Sequence, residues 1–192
     1  MSKLYFTYSA MNAGKSALLL QAAHNYQERG MAVSLWAYGH AGDESEGMIR
    51  SRIGLEAKAH LFRAGTDLFE GLKREVEERG ISAAFLDEAQ FLTEDQVWQL
   101  AKVGDELRIP VLCYGLRTDF KGKLFEGAAT LLAIADDLRE ARTICHCGRK
   151  ATMNLRVEED GAAAKEGPQV GIDKARYLSL CRQHWLERLD EG

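Results

Sequence analysis

No stretch of this 192-residue sequence is long and apolar enough to span a bilayer, which takes about 20 consecutive apolar residues. The N-terminus, MSKLYFTYSAMNAGKS, also lacks the apolar core of a secretory leader; it runs directly into motif, and a cytosolic protein is expected. Basic charge is not in excess: 25 Lys and Arg stand against 29 Asp and Glu, a net charge of −4. A surface built to hold nucleic acid would be clearly basic, so neither nucleic acid nor membrane is expected as a partner. Cysteines are few, four in all. In a reducing compartment four cysteines point to metal binding or burial rather than to disulfides. No internal repeat is present. What is there is an ordinary globular balance, 46% apolar and 28% charged, in a chain sized for one compact domain and a small appendage.

Apolar runs and helical patterns alternate along the first two thirds. Leu4 to Tyr8, Ala32 to Ala37, Ile81 to Leu86 and Pro110 to Leu116 read as buried strands. Between them, Lys15 to Arg29 reads as a helix closed by Gly30, and Thr66 as the cap of a helix facing inward with Leu68, Phe69, Leu72 and Val76. Thr93-Glu94-Asp95-Gln96 has the pattern of a capping box opening a helix to about Leu107, and Lys123 to Asp136 reads as helical. Such alternation implies an α/β fold with a mainly parallel sheet covered on both faces. After about Arg142 the character changes: cysteines cluster, and Glu158 to Gly171 is a Gly/Ala/Glu-rich loop. The expected division is residues 1–142 as the α/β core and 143–192 as a small second unit.

The first strand ends in Ser9-Ala10-Met11-Asn12-Ala13-Gly14-Lys15-Ser16, a phosphate-binding loop of the G-x-x-x-x-G-K-[ST] kind with serine in place of the opening glycine. The order strand, loop, helix is what a phosphate cradle requires: backbone N–H groups and a helix N-terminus receive phosphate oxygens. Lys15 would reach the β- and γ-phosphates and Ser16 would ligate Mg²⁺. The missing glycine mainly eases a tight turn, and a small serine does not exclude the loop. Further along, AAFLDEAQF carries four apolar residues into Asp87 and Glu88. An acidic residue at such a strand end can hold Mg²⁺, and Glu88 just beyond it could accept a proton from an attacking hydroxyl. Either half-motif alone is common, as a chance Gly-Lys-Ser string or a solvated acidic pair. The two together, in this order, point to nucleotide chemistry.

Cys145-His146-Cys147-Gly148 and Cys181-Arg182-Gln183-His184 form two close pairs separated by 33 residues. Zinc takes four tetrahedral sulfur or nitrogen ligands offered in this way, and the set would be Cys145, Cys147, Cys181 and His184. Gly148 suits a turn whose backbone N–H groups face a thiolate. His146 is a competing ligand whose side chain is expected to point away; buried, unligated cysteines are the alternative. Cys113, inside an apolar strand, reads as core, and His24, His40 and His60 as surface residues.

SAMNAGKS, LDEAQF, CYGLRTDFKGKLFEG, TICHCGRKA and RYLSLCRQH occur in the order found in type II thymidine kinases, and the resemblance spans nearly the whole chain. It implies a P-loop NTPase core of the RecA-like kind plus a zinc-anchored lasso that closes over a nucleoside. The activity it implies is transfer of the γ-phosphoryl group of ATP to the 5′-hydroxyl of thymidine, with deoxyuridine as a further acceptor. The resemblance makes Glu88 the base and places nucleotide on residues 9–16 with Asp87, Glu88, Ala89 and Gln90. Met11, Phe91, Leu116, Phe120, Val170 and Tyr177 would contact the nucleoside. It further implies homotetramers and feedback binding of dTTP. Two stretches depart from the family pattern. The arginine usual near Asp43 is absent, leaving Arg50 or Arg52 to replace it, and Val170-Gly171-Ile172-Asp173-Lys174 lacks the usual Gly-Gly pair. A P-loop ATPase with a zinc module, or a catalytically impaired nucleotide-binding relative, are the competing readings.

Overall fold

The computed structural model describes residues 3–40, 47–169 and 176–190. The chain opens with β1 (Leu4–Ser9), α1 (Lys15–Gln27) and β2 (Val33–Tyr38), then a small hairpin of β3 (Met48–Arg50) and β4 (Glu56–Lys58). Next come β5 (His60–Phe62), α2 (Leu68–Arg79), β6 (Ala83–Leu86), a 3₁₀ turn at Ala89–Phe91 and α3 (Glu94–Lys102), which runs on through a π-helical turn to Leu107. β7 (Val111–Leu116), α4 (Glu126–Ile134) and β8 (Asp137–Glu140) complete this part. Six of these strands form one sheet in the order β5-β2-β6-β7-β1-β8, every pairing parallel. This is the expected α/β architecture.

Apolar strands explain it. β6 is buried at all four positions and β2 at five of six, as parallel strands covered on both faces must be. On one face Phe6, Leu86, Val111 and Cys113 pack with Leu72, Leu100 and Leu131 from α2, α3 and α4. On the other, Leu35, Phe85 and Tyr114 pack with Leu19 and Ala23 of α1. Cys113 is core, as read, and burial pushes its thiol pKa up.

Local chemistry corrects several boundaries. α2 is capped by Asp67, which accepts from the Glu70 N–H at 3.0 Å; Thr66 instead receives the Arg63 N–H at 2.9 Å. The capping box at Thr93 and Gln96 forms in both directions. α4 begins at Glu126 rather than Lys123, because Asp119 Oδ1 accepts from the Lys121 and Lys123 N–H groups and holds 119–123 in a turn. β8, a polar edge strand (Asp-Leu-Arg-Glu), and the three-residue strands β3 to β5 carry no apolar period to read.

Beyond β8 lie two further hairpins: β9 (Thr143–Ile144) with β10 (Lys150–Ala151), and β11 (Met153–Val157) with β12 (Arg176–Leu180). The last element is α5 (Arg182–Asp190). Leu155, Val157, Ala151 and Leu180 close a separate small core around Cys145 and Cys181. No helix among the described residues is long and apolar enough to cross a membrane.

Candidate functional site

The phosphate loop leaves the C-terminal end of β1, between β7 and the edge strand β8. Two left-handed residues, Asn12 at φ 61° and Gly14 at φ 75°, curl it before α1 begins at Lys15. Such alternation turns successive N–H groups inward, the geometry of an anion nest. Lys15 Nζ donates to Ser9 Oγ at 3.0 Å, and Ser9 Oγ donates to the Ala10 carbonyl at 2.6 Å. Serine at the glycine position therefore supplies a hydroxyl to the loop lysine. Burial lowers the Lys15 pKa, and the nearby charges of Glu88 and Asp87 oppose that shift.

β6 ends against this loop and delivers the acidic pair. Asp87 is buried, and burial together with the Glu88 charge raises its pKa to about 6, opposed by a hydrogen bond from the Ser16 side chain. Ser16 and Asp87 are thus already adjacent, as two groups sharing one metal ion must be. Glu88 stands in the left-handed region, φ 55°. A non-glycine residue held there costs of order 1–3 kcal/mol and persists only where its surroundings over-determine it. Gln90, itself 1% exposed, does part of that: its Nε2 donates to Glu88 Oε2, while its Oε1 accepts from the Leu116 N–H at 2.9 Å.

Of these groups, Lys15, Ser16 and Glu88 open on one pocket of about 330 Å³, lined by residues 11–17, Glu88, Leu116 and 50–53 of the β3–β4 hairpin. Arg50 and Arg52, the two candidates to replace the arginine absent near Asp43, both reach it, and Arg52 lies close enough to Lys15 to help lower its pKa. Of the residues expected to contact a nucleoside, Met11 and Leu116 are here. Phe91 packs outside the lining, 4.6 Å from the Tyr38 ring and 5.7 Å from Phe125, ring centre to ring centre. Phe120 is not brought to this pocket: it is 2% exposed, with the Arg156 guanidinium 4.2 Å above its ring. Tyr177 pairs with Arg156 across β11 and β12. Val170, Asp43 and the stretch through Lys174 lie outside the described residues.

The cysteine cluster assembles. The donor atoms of Cys145, Cys147, Cys181 and His184 all lie within 4.8 Å of one another. Cys145 Sγ and Cys181 Sγ are 3.3 and 3.5 Å from His184 Nδ1, and Cys147 Sγ is 4.0 Å from Cys181 Sγ. A tetrahedral zinc with bonds of about 2.0–2.3 Å spaces its donors roughly 3.5–3.8 Å apart, so the set fits. His184 Nε2 faces Glu187 at 3.7 Å, an outer carboxylate of the kind that orients a metal-bound imidazole. Burial opposes ionisation of Cys145, but backbone N–H bonds from Cys147 and Cys181 and the His184 side chain bring its pKa down to about 6. Gly148, at φ 82°, makes the turn that aims the first of these. His146 stays outside the four-donor set; its ring stacks on His184 at 4.3 Å rather than pointing clear of the cluster.

Comparison with known proteins decides the family. The thymidine kinase family model matches residues 2–185. The chain belongs to the thymidine kinase family. It is 58% identical to the thymidine kinase of Mesorhizobium japonicum, covering 98% of this chain and 93% of that protein. It is 58% identical to that of Rhizobium meliloti over the full length of both, and 54% to that of Vibrio parahaemolyticus over 98% and 99%. As a member of the thymidine kinase family the chain is a kinase. Sequence reasoning missed three of its site residues. Gly115 is one: a Cβ there would stand 2.8 Å from the Gln90 nitrogen and 2.9 Å from Gln90 Oε1. A glycine inside a buried strand signals such close approach. Asn154 and Ser179, which touch the phosphate loop, carried no readable signal.

Proposed function

We propose that this chain transfers the γ-phosphoryl group of ATP to the 5′-hydroxyl of thymidine, giving dTMP and ADP, and accepts deoxyuridine as well. The observation that carries the reading is a single pocket containing the phosphate loop, Glu88, Met11 and Leu116, in a chain of the thymidine kinase family. Lys15 and the N–H groups of the nest hold the phosphates. Ser16 and Asp87 hold the Mg²⁺ that travels with ATP and offsets phosphate charge. Glu88, oriented by Gln90, accepts the 5′-hydroxyl proton as the O5′–Pγ bond forms and the bond from Pγ to the ADP oxygen breaks. Such chemistry rests on positioning and charge neutralisation rather than covalent intermediates. Ala89 and Gln90 complete the nucleotide side, while Phe91, Phe120, Val170 and Tyr177 belong to the nucleoside side once the lasso closes.

Residues 143–192 form the zinc-bound lasso unit and 1–142 the kinase core; closure excludes water and protects ATP from hydrolysis. The enzyme works in the cytoplasm as a homotetramer and binds dTTP as a feedback ligand. Labelled ATP with a panel of nucleosides tests the reading. ADP and labelled dTMP should appear one for one with thymidine, slowly without it, and little with purine nucleosides. Equal ADP release with and without thymidine, and no labelled nucleotide, would make the chain an ATPase.

A further inference from the structure

Asn154 on β11 and Ser179 on β12 stand directly opposite each other in the antiparallel register. Both reach out of their hairpin to the same residue of the phosphate loop. Asn154 Oδ1 accepts from the Met11 N–H at 2.7 Å, and Ser179 Oγ donates to the Met11 carbonyl at 2.6 Å. The other end of the Asn154 amide donates to the Thr118 carbonyl, just past β7, at 2.9 Å. Asn154 is 2% exposed, so its amide is shielded from water, and leaving one of its bonds unmade is costly. Two longer contacts of 3.4 Å follow at the next residue: Asn12 Nδ2 to Ser179 Oγ, and Thr143 Oγ1 to the Asn12 carbonyl.

We infer that Asn154 and Ser179 are positioning residues for the nucleotide, holding the phosphate loop in its binding shape from the β11–β12 hairpin. The inference rests on the reading of this loop as the ATP site. Met11 is the last residue before the left-handed turn at Asn12, so fixing both of its backbone polar groups fixes where the nest begins. A loop left free would have to be ordered by each incoming nucleotide, and that ordering subtracts from affinity. The Asn154 amide is directional: an acceptor faces Met11 and a donor faces Thr118. Aspartate would set a carboxylate against the Thr118 carbonyl, and leucine would offer neither group. Cys181 follows Ser179 by two residues, so the metal cluster and the grip on the loop share one strand end.

The test measures Mg·ADP affinity by calorimetry on the full, zinc-loaded chain. Ser179→Ala and Asn154→Leu should each weaken ADP about five- to tenfold. Their combination should weaken it little further, because both substitutions release the same residue and their effects are coupled. Ser179→Thr, which keeps the hydroxyl, should restore affinity. Strictly additive losses would overturn the shared grip. Variants that melt earlier yet bind ADP like the wild type would reduce the pair to a structural contact and overturn the inference, while a wild type that does not bind ADP would overturn the ATP-site reading instead. If Asn154→Leu does not fold, Ser179→Ala against Ser179→Thr decides the matter alone.

Discussion

Lys15 Nζ lies 3.0 Å from Ser9 Oγ, so the lysine of the loop is held by the residue that stands where the opening glycine is usual. Ser9→Ala would leave a buried ammonium short of one acceptor. The free protein should lose about 1–2 kcal/mol of stability in urea denaturation. Affinity for Mg·ADP should stay within threefold, because bound phosphate supplies Lys15 with new acceptors. A large loss of affinity with unchanged stability would mean that Ser9 shapes the loop instead.

Glu88→Gln should keep nucleotide binding and lose kcat by about 10²–10⁴-fold, the usual contribution of a general base. Gly115→Ala should act on the same step from behind. Its new methyl group would press on the Gln90 backbone and side chain, displacing the amide that orients Glu88. Steady-state kinetics should show kcat falling more than KM for ATP rises in both variants. Near-normal turnover in Glu88→Gln would move the base elsewhere.

The pKa of Asp87 is raised by burial and by Glu88 to about 6. Between about pH 4 and 6 the folded, nucleotide-free chain therefore holds a proton that the unfolded chain has released. This group contributes stability below the ordinary carboxylate pKa, and the contribution fades as pH rises through about 6. Urea midpoints across that window should fall less steeply with pH in Asp87→Asn than in the wild type. Parallel curves would show that Asp87 does not titrate there.

One zinc per chain should accompany the purified protein, and Cys181→Ser should release it and loosen the segment from Ala151 to Ser179. Elemental analysis and hydrogen exchange read the two effects separately. The core under α2, α3 and α4 should keep its protection, since its packing involves none of the four ligands. A fully active preparation without zinc would remove the metal from the account.

The sequence by itself determined whatever depends on neighbours along the chain. Ser9 to Ser16 after a strand, Asp87-Glu88 at the end of another, and two close Cys/His pairs are local patterns, because loops, caps and metal knuckles are built from adjacent residues. The parallel α/β class followed from the alternation of apolar runs such as Ala83–Leu86 with helical patterns, which implies a sheet covered on both faces. Tertiary structure alone decided what depends on contacts between distant residues. It set Gln90 against Gly115, removed Phe120 from the loop's pocket to a place beneath Arg156, and brought Arg50 and Arg52 to the rim. The grip of Asn154 and Ser179 on Met11 spans more than 140 residues of chain. A polar side chain's partner across such a distance is chosen by how the sheets and hairpins pack, and no periodicity or spacing in the sequence records it.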